Sequence, residues 1–260
     1  MDHIERVEEE FTRQAETFDA YAAKAGGDAV RTMICDAAGA AGAGRVLDVA
    51  CGPGAVTAAL AVRAQEAVGL DAVPAMLEQA RRRAEDAGLS NLRFEQGRAE
   101  ALPFDTASFD AVVTRIALHH CVDPALVLAE MFRVLRPGGR AVIVDVTASE
   151  DAEKARLQNA LEIVRDPSHV RMLPLSELKA SVEGCGFRIE SETVWDTPRE
   201  FEQWMGIVND PQRAGPLRVI ARALAEEGRD AGMGLAIRDG GIVFFHRWAL
   251  IAADKPEPLR

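Results

Sequence analysis

At 260 residues, 48% of them hydrophobic and 27% charged, the chain is long enough for a full core and has the composition of a soluble globular protein. Its formal net charge of -11 at pH 7 repels phosphate backbones and anionic lipid, which argues against nucleic acid as a partner. The four cysteines (Cys35, Cys51, Cys121 and Cys185) lack C-x-x-C spacing, and no apolar run approaches the roughly 20 residues of a membrane span; the expected setting is a reducing cytoplasm with no membrane insertion.

The acidic start "MDHIERVEEE" lacks the apolar stretch of a secretory signal. Ile4, Val7, Phe11, Ala15, Phe18 and Tyr21 recur at spacings of three and four, which predicts an amphipathic helix over 4–24. "GGD" at 26–28 interrupts it, and a second helix runs through Val30, Met33, Ile34 and Ala37. A regular alternation follows: strands at 45–50, 66–71, 92–97, 109–115 and 140–147, with helices at 55–64, 74–87 and 124–136. Asp123 and Pro124 suit the start of the last of these helices, because proline there gives up an N–H that has no partner anyway. Beyond 147 a helix and loop at 150–172, a helix at 175–184, a strand at 186–195, helical segments over 199–228 broken by "NDPQRAGP", and a strand at 240–252 are expected.

Strands alternating with helices give an α/β architecture. The expectation is a Rossmann-like, doubly wound, seven-stranded sheet whose last strand is antiparallel, with an N-terminal helical cap and helical insertions over the pocket. A single domain over 1–260 is expected, divided into cap (1–42), core (43–147) and acceptor-side insertions with the last two strands (148–260). Those two strands are placed at the sheet edge.

"VLDVACGPG" (46–54) runs from a strand into a turn with Gly52 and Gly54 and then into a helix. In such sheets ligands sit outside the carboxyl ends of the strands, where glycines admit close backbone approach and the helix start offers free N–H groups. Asp71, 17 residues after Gly54, ends the second strand and suits a ribose diol. A dinucleotide and S-adenosylmethionine (SAM) both satisfy that pattern. Thr57 breaks G-x-G-x-x-G, Pro53 removes an N–H, and Asp48 repels a diphosphate but attracts an ammonium and a sulfonium. Charge therefore favours SAM.

Residues 46–147 resemble the class I SAM-dependent methyltransferases, above all the small-molecule branch that includes the ubiquinone/menaquinone biosynthesis C-methyltransferases. "LDVACGPG" is similar to that family's first motif, "GLDAVPAML" (69–77) to its ribose motif, "GRAEALPFDTASFDAVV" (97–113) to its adenine loop and fourth strand, and "VLRPGG" to the turn before its fifth. The resemblance implies that Ala50, Gly52 and Gly54 face the methionine part of SAM through backbone, with Asp48 toward its ammonium. Asp71 would bind the ribose, Ala72 and Met76 would flank the adenine, and Ala99 and Glu100 would edge it. Arg98 stands where the family often has an aspartate; arginine cannot accept a hydrogen bond, so it is expected to stack on the ring or point outward. Phe18 and Tyr21 match an F-x-x-Y feature that lids the donor in relatives, with helix packing as the alternative.

"VVTRIALHHCVDP" (112–124) carries Thr114 and Arg115 out of the sheet beside the donor and then His119 and His120 across the pocket mouth. Adjacent histidines suit an acceptor-side base or a structural loop end; as a metal pair they diverge. "RDPSHVR" (165–171) lies over the same mouth. Arg115, His169 and Arg171 would form a cationic pocket for an acidic or phenolate acceptor; alternatively Asp166 and Ser168 are turn residues with His169 exposed. Asp145 is a further lining candidate. His246, Arg247 and Trp248 read as structural, and Trp195 and Trp204 as pocket wall or core. The expected activity is SAM-dependent methylation of a small-molecule acceptor (phenol, quinol, acid or activated carbon). A different reaction on the same fold, a catalytically silent SAM-binding protein and a nicotinamide oxidoreductase are the alternatives. Oligomeric state stays open, a homodimer among the alternatives.

Overall fold

The computed structural model describes residues 2–24, 27–208 and 210–258, excluding the side chains of 16–24. A helix α1 (His3–Lys24) and a second, α2 (Gly27–Ala37), precede the sheet. Strands β1 (Arg45–Val49), β2 (Glu66–Asp71), β3 (Leu92–Gln96), β4 (Phe109–Arg115) and β5 (Leu135–Thr147) alternate with helices α3 (Ala55–Ala61), α4 (Pro74–Asp86) and α5 (Pro124–Val134). Then come α6 (Ala152–Arg165), α7 (Leu175–Gly184), β6 (Arg188–Glu200), α8 (Phe201–Val208), α9 (Pro211–Glu226), β7 (Ala236–Arg238) and β8 (Gly241–Asp254). Among these, no helix is long and apolar enough to cross a membrane.

The strand order is β3-β2-β1-β4-β5-β8-β6, with β7 paired to β8. The first five strands pair in parallel, while β8 runs antiparallel to both β5 and β6. The sheet thus has eight strands, the extra one being the three-residue β7. The last long strand also does not lie at the edge: it inserts between β5 and β6, because Leu250, Ile251, Ala252 and Ala253 are all buried and need cover on both sides.

Period-two alternation splits the core. Val46, Val113, Val142 and Val144 face Ile34 of α2 and Leu60 of α3. Leu47, Val112 and Ile143 face Leu128 and Met131 of α5 and Val182 of α7. Strands buried on both faces are the expected consequence of parallel pairing. A third cluster joins Phe201 and Trp204 of α8, Leu217 of α9 and Phe244 of β8. Asp123 caps α5, its side chain accepting from the Ala125 N–H at 3.0 Å. Asp210 caps α9 in the same way, so "PQRAGP" lies inside that helix and the break falls just before it. The winding reverses between β1 and β4, opening a crevice at their carboxyl ends.

Candidate active site

That crevice is a cavity floored by the turn after β1. Asp48, Ala50 and Gly52 line it, as do Asp71, Ala72 and Met76 from the β2 side and Arg98, Ala99 and Glu100 from the loop after β3. Both oxygens of Asp71 are held: Oδ2 accepts from the Gly52 N–H at 2.7 Å and Oδ1 from the Val73 N–H at 2.9 Å. The carboxylate therefore fixes the glycine turn while remaining on the cavity wall. Its burial pushes its pKa up despite those backbone donors. Asp48 is also buried and accepts from the Thr57 hydroxyl at 2.6 Å. Desolvation raises its pKa to about 7, the Thr57 hydrogen bond opposing the rise. Thr57, which broke the dinucleotide fingerprint, thus serves the carboxylate beneath the cavity.

Ala50 and Gly52 adopt positive φ of 56° and 53°, and a Cβ on Gly52 would meet nothing within 4 Å. Ile116, at the exit of β4, has φ 54°, a costly angle for a β-branched residue. Both non-glycine residues in the left-handed region here, Ala50 and Ile116, line the cavity, as strain kept for a site does.

Several expectations need correction. Gly54 is not on the cavity wall; with φ 75° it starts α3, and a Cβ there would come within 2.8 Å of the Ala80 Cβ and 3.0 Å of Phe94. Helix packing, not ligand approach, demands that glycine. Thr114 also stays off the wall: its side chain turns into the sheet and donates to the Val49 carbonyl at 3.0 Å, tying β4 to β1. Arg98, by contrast, meets one of its two expected alternatives: it lies at the cavity rim with its side chain 56% exposed and 3.7 Å from Glu100, in keeping with the outward-pointing reading. The side chains of Phe18 and Tyr21 lie outside the described residues. The part of α1 that lines the cavity is its first three turns, through His3, Ile4, Val7 and Phe11. The sequence showed that amphipathic spacing, but periodicity does not say which surface a helix will cover.

A second chamber adjoins the first and shares Phe11, Arg115, Ile116 and His120 with it. Its own walls include His119, His169, Trp204, His246 and Trp248. Two loops meet here because the His119 carbonyl accepts from the backbone N–H groups of Val170 and Arg171 at 2.9 and 3.0 Å. The three rings of His119, His120 and His169 consequently lie with centroids 4.3–6.1 Å apart. No group of three or more His, Cys, Asp or Glu among the described residues is arranged to hold a metal ion.

The histidines differ in their partners. His119 Nδ1 donates to Asp145 Oδ1 at 2.5 Å, leaving Nε2 with its lone pair when the ring is neutral. Burial works to lower its pKa, but the charge and hydrogen bond of Asp145 outweigh it and hold the ring above 6.5. His120 Nδ1 is 3.1 Å from the Ser168 hydroxyl, which lies 2.5 Å from Asp166, and its ring packs edge-on to Phe11. His169 Nε2 meets the Asn159 amide oxygen at 2.9 Å. Burial, helped by the charge of His119, pushes these two down to about 3 and about 4. They are neutral at physiological pH.

Asp166 and Ser168 do form a turn, the Ser168 N–H donating to Asp166 Oδ1 at 2.9 Å and the His169 N–H to the Asp166 carbonyl at 3.0 Å, but His169 is buried, not exposed. Arg171 leaves the chamber; it is exposed and forks onto Glu177 at 2.7 and 2.6 Å. Arg165 and Arg199 take its place on the wall, with Glu162 between them through His246. His246 Nδ1 accepts from Arg199 Nε at 3.3 Å and Nε2 donates to Glu162 at 2.9 Å. Trp248 lines the same chamber and stacks on Trp195. His246 and Trp248, which the sequence reads as structural, reach the chamber wall because β8 is an interior strand. Sequence reasoning missed Glu162, Arg165 and Arg199, whose convergence depends on strand order.

Comparison with known proteins fits this geometry. Residues 47–143 match the family described as "Methyltransferase domain". The uncharacterised methyltransferase YcgJ of Bacillus subtilis is 38% identical over 161 residues, 62% of this chain and 64% of YcgJ. Its crystal structure superposes with a TM-score of 0.81 at 32% identity, covering 88% of this chain and 98% of that one. A putative methyltransferase from Bacillus halodurans C-125 gives a TM-score of 0.82 at 30% identity over 87% and 98%. The demethylmenaquinone methyltransferase of Deinococcus radiodurans is 48% identical over 103 residues, 39% of this chain and 42% of that protein. The sequence match thus spans just under two thirds of YcgJ and less than half of the quinone enzyme. The chain belongs to the class I SAM-dependent methyltransferases, in the family that includes YcgJ.

Proposed function

We propose that the chain methylates a small molecule, holding SAM in the first cavity and the acceptor in the second. The supporting observation is that the two cavities meet at Arg115, Ile116 and His120, next to the buried His119–Asp145 pair. The residues fit the donor: a buried carboxyl at Asp48 for its ammonium, open space above Gly52 for its methionine part, Asp71 for the ribose, and Ala72, Met76 and Ala99 for the adenine. Bound SAM supplies an electrophilic methyl on a positively charged sulfur.

The chain's own residues position, desolvate and deprotonate. His119 is the general base: Asp145 holds its Nδ1–H, keeps its tautomer and raises its proton affinity, while Nε2 is left to accept. His120 and His169 stay neutral and shape the chamber. Arg115, over Trp248 at 5.6 Å, and Ile116 mark the junction. The domain reading is one unit over 1–260; the net charge of -11 supports a small-molecule partner and no nucleic acid, and four cysteines without C-x-x-C spacing support a reducing, cytoplasmic setting. Incubation with methyl-labelled SAM and a panel of phenols, quinols and acids tests the proposal. Labelled product with stoichiometric S-adenosylhomocysteine (SAH) is expected; SAH binding without transfer to any member would favour a silent SAM-binding protein.

A further inference from the structure

We infer that Ser168 with Asp166, and Asn159, are positioning residues that set the ring protons of His120 and His169, as Asp145 does for His119, so that the chamber meets its ligand with three bare ring nitrogens. Such a site takes a ligand that brings polar hydrogens: a small flat ring with two adjacent hydroxyl or amino groups. The ligand's role as acceptor rests on the methyl-transfer reading above; the ring protons do not depend on it.

The two nitrogens of a neutral imidazole are told apart by what each faces. The Ser168 hydroxyl has one hydrogen, and it lies 2.5 Å from Asp166 Oδ1, an oxygen that only accepts. That carboxylate is pinned by two further donors, the Ser168 N–H at 2.9 Å and the Gln14 amide at 3.0 Å. With its hydrogen given to Asp166, the Ser168 oxygen is left to accept from His120 Nδ1, 3.1 Å away. His120 therefore carries its hydrogen on Nδ1 and its lone pair on Nε2.

Asn159 settles His169 the other way round. Its amide nitrogen donates to the Ala155 and Met172 carbonyls at 3.0 and 3.2 Å, and its Oδ1 accepts from the Met172 N–H at 2.6 Å. Those backbone partners fix which end of the amide is oxygen. The same Oδ1 faces His169 Nε2 at 2.9 Å, so Nε2 donates and Nδ1 is bare.

His119, with Nδ1 held by Asp145, is the third ring. Its Nε2, the Nε2 of His120 and the Nδ1 of His169 have no hydrogen-bond partner among the described residues, yet none is among the polar atoms sealed off from accessible space. All three rings line the second chamber, and they are not arranged to share a metal ion. Phe11, Trp204 and Trp248 add aromatic surface to the same walls, which suits a flat ring.

A bare imidazole nitrogen only accepts, so the ligand must supply the hydrogens. A carboxylate, an ether and a ketone bring none. One hydroxyl serves one nitrogen, whereas His119 and His120 are neighbours with ring centroids 4.3 Å apart. Two hydrogens on adjacent atoms match that pair. The atom facing His119 gives its hydrogen to Nε2 and takes the methyl; the S–CH3 bond breaks, its electron pair stays on sulfur to leave SAH, and His119 passes the proton to solvent. The second hydrogen stays on His120 and holds the ligand in place.

The test is a long-range proton–nitrogen correlation spectrum of the full chain, histidine-labelled and SAH-loaded, at mildly alkaline pH, with His119→Gln, His120→Gln and His169→Gln assigning the rings. The hydrogen is expected on Nδ1 in His119 and His120 and on Nε2 in His169. Ser168→Ala should release His120 into a mixture of both forms with SAH affinity kept, and Ser168→Thr, which keeps the hydroxyl, should restore the parent signal. Calorimetric titration of SAH-loaded protein then compares catechol and ortho-phenylenediamine with veratrole, the dimethyl ether of catechol. One of the first two should bind at least about tenfold tighter than the ether, and which one does so tells hydroxyl from amino. A hydrogen on Nε2 of His120 or on Nδ1 of His169 overturns the positioning assignment. Failure of both donors to outbind the ether overturns the ligand class and leaves the methyl-transfer reading standing. Failure to bind SAH overturns that reading, while the spectrum of the unloaded protein still decides the ring protons.

Discussion

His119 and Asp145 touch at two points: the ring Nδ1 meets one carboxylate oxygen at 2.5 Å, and the His119 backbone N–H donates to the other at 3.2 Å. The first oxygen also accepts from the Val146 N–H at 2.7 Å, so the carboxylate is fixed to its own strand while it orients the ring. Asp145→Asn keeps the shape but removes the charge. Turnover is expected to fall by about 10²–10⁴, the range of a lost general base, with SAM affinity little changed. Steady-state kinetics beside a binding titration separates the two, and equal losses in both would assign the pair to donor binding.

The pH profile of turnover carries the same pair. A base acts unprotonated, so the rate should rise with pH through the His119 folded pKa, which Asp145 holds above 6.5, and level off beyond it. In Asp145→Asn the rise should move to lower pH and reach a lower plateau. A limb unmoved by the substitution would take the base role from His119.

His169 bears on stability with the opposite sign to His119. Its folded pKa of about 4 lies below the ordinary 6.5, so folding resists its protonation. Its contribution is intact above pH 6.5 and lost as pH falls toward 4. Relative to His169→Gln, the parent protein should lose up to about 1.4 kcal/mol per pH unit over that window. His119, raised instead, adds stability that is full below pH 6.5 and lost as pH climbs through its folded value. Urea unfolding of parent and variant between pH 4 and 8 reads the difference.

Asp48 should make donor binding pH-dependent. With its pKa near 7 it is mostly protonated at pH 6 and mostly ionised at pH 8, and only the ionised form attracts an ammonium. SAM affinity is expected to rise about tenfold between those values, following the ionised fraction. Asp48→Asn should bind weakly and flatten the curve. A parent protein with pH-independent SAM affinity would remove Asp48 from the ammonium site.

Gly52 and Gly54 share a motif and should part under substitution. Gly54→Ala drives a Cβ against Ala80 and Phe94 at a positive φ, which should cost about 1–3 kcal/mol of stability. Gly52→Ala carries the strain of its positive φ but meets no atom, so it should cost less stability than Gly54→Ala while weakening donor affinity at the cavity floor. Thermal melts paired with SAH titrations distinguish the two glycines.

The alternation from β1 to β5 was legible because buried parallel strands read as apolar runs and their helices as 3.6-residue stripes. The glycine turn with Asp48 and Asp71 was legible because it is local in sequence. Strand order is a tertiary property, so the sequence does not show that β8 lies inside β6 and brings His246 and Trp248 to the chamber. At the end of β4 the direction of a single side chain decides whether Thr114 meets the cavity or the Val49 carbonyl, and spacing does not reveal it. His119 and His120 cannot be told apart by spacing, since only the Asp145 and Ser168 contacts separate them. Arg171 reads as a chamber residue in the sequence because nothing there reveals Glu177 as its partner.

The most direct measurement is calorimetric titration of the purified protein with SAH, with NADH as the control and Asp71→Ala alongside. The account predicts one-to-one binding of SAH, none of NADH, and a loss of about 1–3 kcal/mol in the variant, the scale of a polar contact left unmade. Binding of NADH, or SAH affinity indifferent to Asp71, would contradict it.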